Sequence, residues 1–364
     1  MLPQAIRALA FASSGQPAVS ACLRKTPEDF RVREIPLLEP DGAGEHAWLL
    51  IRKRLENTAG VAELLAKFSG APLRDVSYAG MKDRQAVTEQ WFSVQLPGRE
   101  DPDWTALNSD VITVIRHARH SRKLRRGALK GNAFKLVLRE IGGEPDELNR
   151  RLEVVAGEGV PNYFGEQRFG RNGANLHTAL QLFNNPRKRI SRTRRGLALS
   201  AARSLLFNQV LSRRVEAASW NRAIMGDALQ LQGSHSYFIA ENIDAELRAR
   251  IERHDVHPTG PLHGRGASDV RLDCLQLETE VLADFPEWLA GLESAGLKQD
   301  RRALRVPVEG LEWHWTGAAE LELAFSLPAG SYATSVLREL VVNAGQGEPV
   351  LPNNTPPIAG ASAP

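Results

Sequence analysis

A chain of 364 residues exceeds one average domain and fits two packed units, and its 42% hydrophobic and 24% charged residues exclude disorder as the default state. Two cysteines far apart, Cys22 and Cys274, argue against a cysteine-built zinc site and for a reducing, cytoplasmic setting; no apolar run is long enough to cross a bilayer, and nothing near the N-terminus reads as a signal peptide. The net charge of +3 hides a strong segregation of bases from acids, which points to a polyanionic partner.

In chain order, residues 1–20 show little pattern. Alternation predicts a strand over Phe30–Ile35, and the apolar run Trp48, Leu49, Leu50 and Ile51 another over Ala47–Arg52. Thr58 is placed to cap a helix reaching Phe68, with Val61, Leu64, Leu65 and Phe68 on one face. Val76–Tyr78 and Thr88–Gln95 read as strands flanking the polar turn Gly80-Met-Lys-Asp-Arg84, where Gly80 permits a tight bend. Val111–Ile115 and Phe134–Leu138 are further strands, with a basic, glycine-bearing stretch between them. A helix is predicted over Glu147–Ala156.

After Gly157 the character becomes helical, with helices expected at Leu176–Phe183, Leu197–Ser219, Glu246–His254, Glu278–Phe285 and Trp288–Ala295. Proline, glycine and histidine mark His257–Gly266 as a loop. Strand alternation returns at Arg305–Val308, Glu312–Thr316 and Glu320–Ser326, before a closing helix at Thr334–Val342. The Gly-, Pro- and Ala-rich residues 346–364 read as a disordered tail. This strand–helix–strand order suggests one domain inserted into another.

Between Val111 and Arg139 lie nine Lys or Arg and no acid; between Gln167 and Val215 lie eleven and again no acid. The rest of the chain carries 26 bases against 43 acids. Such blocks suit phosphate contacts, although a short charge run is more often a solvated face.

Four clusters could carry chemistry. Asp83 sits between Lys82 and Arg84, and neighbouring cations favour an anionic carboxylate able to act as nucleophile or base. Alone, the trio favours a surface charge cluster in a hairpin turn. Phe30 could stack on a base, or simply face the core. The block from His117 to Phe134 offers cations for phosphates and, in Asn132, both a donor and an acceptor for a base edge. Asn162–Arg171 mixes aromatics, glycines and arginines, suiting RNA or a structural junction. His254 and His257 beside Asp255 are a weak metal hint. No Walker loop, nucleophile elbow or dinucleotide fingerprint occurs.

Taken together, Pro27-Glu-Asp-Phe30, Gly80-Met-Lys-Asp-Arg84 with Ala86, Thr88 and Gln90, Ala118-Arg-His-Ser-Arg-Lys123, Gly127-Ala-Leu-Lys-Gly-Asn-Ala-Phe134, Val160-Pro-Asn-Tyr-Phe-Gly-Glu-Gln-Arg-Phe-Gly170 and Leu327-Pro-Ala-Gly-Ser-Tyr-Ala-Thr-Ser335 resemble the D-type tRNA pseudouridine synthases. The blocks follow the family's order across almost the whole chain. The resemblance implies an α+β fold: a pseudouridine synthase core with a mixed, largely antiparallel sheet, plus an inserted family-specific α/β domain. It implies a discontinuous catalytic domain over 1–157 and 307–345 and an inserted domain over 158–306.

It further implies a cofactor-free isomerase turning uridine into pseudouridine in tRNA, at position 13 of the D arm. Its partner is tRNA, without metal, membrane or obligatory protein partner. Asp83 matches the catalytic aspartate. Phe30, Asn132 and Phe134 match substrate contacts, Tyr332 an aromatic position, and Arg24, Lys82 and Arg84 basic RNA contacts. The family commonly has lysine where Arg24 stands, with Lys25 following. The competing readings are a non-catalytic RNA binder, a metal-dependent nuclease, and a pseudouridine synthase acting on another RNA.

Overall fold

The computed structural model describes residues 8–13 and 15–343. The expected disordered tail, 346–364, lies outside the described residues. The chain divides into two compact units. One consists of Ser20–Gly142 and Glu312–Ala324. The other consists of Gly143–Leu311 and Phe325–Val342, with the described residues up to Val19.

The first unit is built on strands β1 (Ser20–Leu23), β2 (Phe30–Pro36), β3 (His46–Arg54), β4 (Val76–Tyr78), β5 (Val87–Gln95), β6 (Ile112–His120) and β7 (Leu129–Gly142), with helix α1 (Thr58–Ser69) between β3 and β4. Along the sheet, Glu309–Gly317, Glu320–Pro328, β7, β2, β5, β3 and β6 lie side by side, with β1 against β7 and β4 against β5. β2 and β5 run parallel, Arg31 opposite Val87, while β2–β7, β3–β5 and β3–β6 are antiparallel. The sheet is therefore mixed and mostly antiparallel, as expected.

α1 exists because Val61, Ala62, Leu65 and Ala66 recur on one face and bury against Leu49 and Ile51 of β3, Phe92 and Val94 of β5, and Trp104. Its cap differs from expectation. Asn57, not Thr58, accepts the Gly60 N–H, at 2.6 Å, and Gly70 ends the helix in the left-handed region at φ 66°. The Thr58 hydroxyl is used elsewhere, as described below.

Both ends of the basic stretch between Arg116 and Asn132 are strand. β6 runs to His120 and β7 begins at Leu129, leaving only a short connection. Cations broke the alternation that would have marked the strands. Several are nevertheless anchored: Arg119 on Asp101 at 3.2 Å, Arg116 on Glu39 at 2.9 Å, and Lys123 on the Arg74 carbonyl at 2.7 Å.

In the second unit, helices α2 (Pro145–Glu158), α3 (Ala174–Asn184) and α4 (Arg192–Glu216) are joined, among the described residues, by four further α-helices and a four-stranded sheet in the order Tyr237–Ile239, Ala228–Leu231, Val256–Leu262, Asp300–Ala303. The expected loop at 257–266 is thus, over its first half, a buried strand. Its prolines and glycine imitate loop punctuation. Pro258 still offers its carbonyl to Leu304 N–H at 2.8 Å. Gly260 is needed because a Cβ there would lie 2.8 Å from Leu304 Cδ2 and 3.1 Å from a Phe207 ring carbon. The helix expected at Glu278–Phe285 begins earlier, at Leu272, and ends at Leu282. Both cysteines are free. Among the described residues, no helix is long and apolar enough to cross a membrane.

Candidate active site

The site is assembled where β2, β3, β5 and β7 meet the loop between β4 and β5. β2 alternates: Phe30, Val32 and Glu34 are buried, while Arg31 and Arg33 are exposed. Antiparallel register sets Asn132 opposite Glu34 and Phe134 opposite Val32, so these side chains share one face. The Phe30 and Phe134 rings meet edge to face, 6.2 Å apart.

The loop carrying Asp83 is fixed at several points. Lys82 N–H donates to Thr58 Oγ1 at 3.0 Å, the Thr58 hydroxyl donates to Gln90 Oε1 at 2.9 Å, and Gln90 Nε2 donates to the Gly80 carbonyl at 3.1 Å. Lys53 lies in line with Leu49 and Ile51 on β3 but is fully buried, and its ammonium donates to the Asp83 carbonyl at 2.9 Å and the Glu56 carbonyl at 2.6 Å. Burial lowers the Lys53 pKa to about 8, partly countered by the carboxylates of Asp83 and Glu56. In return, Arg84 Nε donates to the Leu55 carbonyl at 3.1 Å. Gly80 has no positive φ, and a Cβ there would meet nothing within 4 Å, so the bend does not rely on its freedom.

Held this way, the Asp83 carboxylate stays one-third exposed, with a relative accessibility of 34%. Its Oδ2 accepts from Arg24 Nη1 at 2.7 Å and its Oδ1 from Gln85 N–H at 3.1 Å. Arg24 follows β1 in the left-handed region, φ 57°, and its guanidinium lies 3.9 Å from the centre of the Phe30 ring. One planar cation thus stacks on an aromatic ring and pairs with the carboxylate, where a lysine ammonium would act only as a point charge. Lys25, by contrast, pairs with exposed Glu140.

Lys82 turns the other way. Its ammonium lies 3.0 Å from Glu34 Oε2 and donates to Asn132 Oδ1 at 2.7 Å. Glu34 is almost fully buried, and its Oε1 accepts from Trp91 N–H at 3.3 Å. Burial pushes the Glu34 carboxyl upward, with Lys82 opposing the shift.

Six expected residues from four sequence segments therefore gather here: Arg24, Phe30, Lys82, Asp83, Asn132 and Phe134. Arg84 flanks them. Tyr332 belongs to the other compact unit, where its hydroxyl accepts from Arg168 at 3.3 Å. Sequence reading missed Glu34, Lys53 and the role of Thr58. Glu34 and Lys53 left a signal, since each is a charged residue on the inward parity of an alternating strand.

The histidines near Asp255 form no metal site. His257 Nδ1 accepts from Arg305 Nε at 3.1 Å, so its Nε2 carries the proton toward Gln232 Oε1 at 2.8 Å. Among the described residues, no group of three His, Cys, Asp or Glu could hold a metal ion.

The family model for tRNA pseudouridine synthase D (TruD) matches residues 9–186 and 181–340. The chain is 53% identical to a protein of Methylococcus capsulatus named tRNA pseudouridine synthase D, covering 90% of this chain and 92% of that one. It is 51% identical to one of the same name from Nitrosococcus oceani, covering 92% and 94%. Its fold matches a crystal structure from Methanosarcina mazei, described as a candidate member of the same group, with a TM-score of 0.72 at 22% identity over 93% of this chain and 97% of that one.

Proposed function

Because the chain belongs to the tRNA pseudouridine synthase D family, we propose that it isomerises uridine to pseudouridine in tRNA, at position 13 of the D arm, through Asp83 and without a cofactor. In this reaction the C1′–N1 bond breaks, the uracil turns, and a C1′–C5 bond forms. C5 loses a proton and N1 gains one. Atoms and electrons balance, so the chemistry needs no electron carrier.

The observation that carries the reading is the accessible Asp83 carboxylate held 2.7 Å from an arginine that is itself stacked on Phe30. Orientation of this kind lowers a barrier because the reacting group need not be ordered during the step. A base inside a folded arm must leave its stack before it reacts. Phe30, Asn132 and Phe134 are assigned to receive it, and Arg24 and Arg84 to the basic surround, while Tyr332 stands as the family's aromatic position in the other unit. On the same reading, residues 1–157 and 307–345 form the catalytic domain and 158–306 the inserted family domain, with α2 counted in the former. A cytoplasmic location goes with a tRNA substrate.

The test is a tRNA transcript with tritium at uridine C5. Wild-type protein should release the label, and Asp83→Asn should bind the RNA yet release none. Release by both would remove Asp83 from the chemistry. Binding without release by either would favour another RNA substrate or a pure binder, which a pool of total RNA would separate.

A further inference from the structure

An asparagine amide is ambidextrous: rotated by half a turn, it offers either a carbonyl oxygen or an NH2 group. Asn132 lacks that freedom. An ammonium has only donors, so the amide oxygen must face Lys82, 2.7 Å away. Lys82 cannot swing aside either. Its side chain is 6% exposed and its charge is paired at 3.0 Å with Glu34, whose side chain is 1% exposed. Glu34 is tied in turn to Trp91 N–H on β5. The amide nitrogen of Asn132 accordingly points away from this pair, and among the described residues no acceptor is bonded to it. It lies on the same face of β7 as Phe134, in the site that holds Asp83.

We propose that Glu34 and Lys82 are a positioning pair that locks the Asn132 amide with its NH2 group toward the substrate, so that the site takes a base with a carbonyl oxygen at C4 and refuses one with an amino group there. Uracil presents an acceptor at that atom and cytosine a donor. A freely rotating amide would accept both. Discrimination comes from the lock, and Lys82 acts through Asn132 rather than on the base. The proposal rests on the reading of this site as the place where uridine reacts.

The experiment uses full-length protein and two tRNA transcripts differing only in uridine or cytidine at the modified position. Tritium release by wild type from the uridine transcript comes first, and no release overturns the reading beneath the proposal. Dissociation constants for both transcripts are then measured in the Asp83→Asn background, which should bind without turnover. The parent should favour uridine by about tenfold or more, the usual range for one well-placed polar base contact. Adding Asn132→Ser or Lys82→Met should each bring that ratio close to one, and adding both should take it no further.

A ratio that survives Lys82→Met but is lost in Asn132→Ser overturns the lock. A parental ratio near one overturns the assignment to C4. Lys82→Met leaves the Glu34 carboxylate buried without its partner, so Lys82→Met with Glu34→Gln is measured beside it and should give the same loss. Lys82→Arg, which also carries only donors, should keep the preference.

Discussion

Lys53 shows how one buried cation ties stability to pH. Its ordinary pKa of 10.5 falls to about 8 in the folded chain. Between those values the unfolded chain binds more protons than the folded one, so stability rises with pH across that window, while below about pH 8 the cost of the buried charge is fully present. The span corresponds to about 3 kcal/mol at most. Urea unfolding of wild type and Lys53→Met at pH 7.5 and pH 10 should show wild type gaining on the variant at the higher pH. Equal responses would mean that Lys53 is not depressed. The same residue marks the limit of what could be read beforehand. Asp83, Phe30, Asn132 and Phe134 were legible as motif residues, whereas the inward charges of Lys53 and Glu34 were visible but had no meaning until their partners, the Glu56 and Asp83 carbonyls and the Lys82 ammonium, were known.

At the scale of elements, two glycines and a histidine offer tests. Gly260→Ala would press a methyl group against Leu304 and Phe207, both fully buried, and should destabilise the protein by about 1–3 kcal/mol in thermal or urea unfolding. Gly80→Ala, with open space around it, should leave the melting temperature within about 1 °C of wild type. His257 is held neutral by burial and by Arg305 and His254, its pKa lowered to about 3. From pH 6.5 downward the unfolded chain takes up the proton first, so stability falls as pH falls, and His257→Gln should flatten that acid limb. Regular alternation made β2 readable from sequence, and the apolar run Trp48–Ile51 made β3 readable. The strand at Val256–Leu262 was hidden because Pro258, Gly260 and Pro261 resemble punctuation, and β6 and β7 read as shorter than they are because Arg and His end the one and Lys130, Gly131 and Asn132 open the other.

For the whole molecule, the segregated charge is the feature most directly open to measurement. α4 opens with exposed Arg192 and Arg194 and half-buried Arg195, at the helix end whose partial positive charge disfavours cations. A phosphate backbone would reverse that local penalty. Replacing all three with glutamine should weaken tRNA binding and make the slope of log affinity against log salt shallower by about one for each phosphate left without its cation. An unchanged slope would place these arginines away from the RNA. Composition alone had pointed to a polyanion, but only the structure shows which cations already have acidic partners, as Arg116 and Arg119 do.

The strand order also sets a timetable for synthesis. β7, fourteen residues long, lies between β2 and the strand Glu320–Pro328. Its partner on one side is translated well before it, and its partner on the other emerges about 180 residues later. At ribosomal speeds of ~5–20 residues per second, that outer edge waits roughly 10–40 seconds with unpaired backbone groups. Long open edges invite pairing with foreign strands. Lys135 and Arg139, later matched by Glu322 and Glu320, keep that waiting edge charged. A nascent chain stalled before residue 320 should therefore seek holding chaperones more strongly than the finished protein, and exchanging both cations for valine should turn the wait into aggregation.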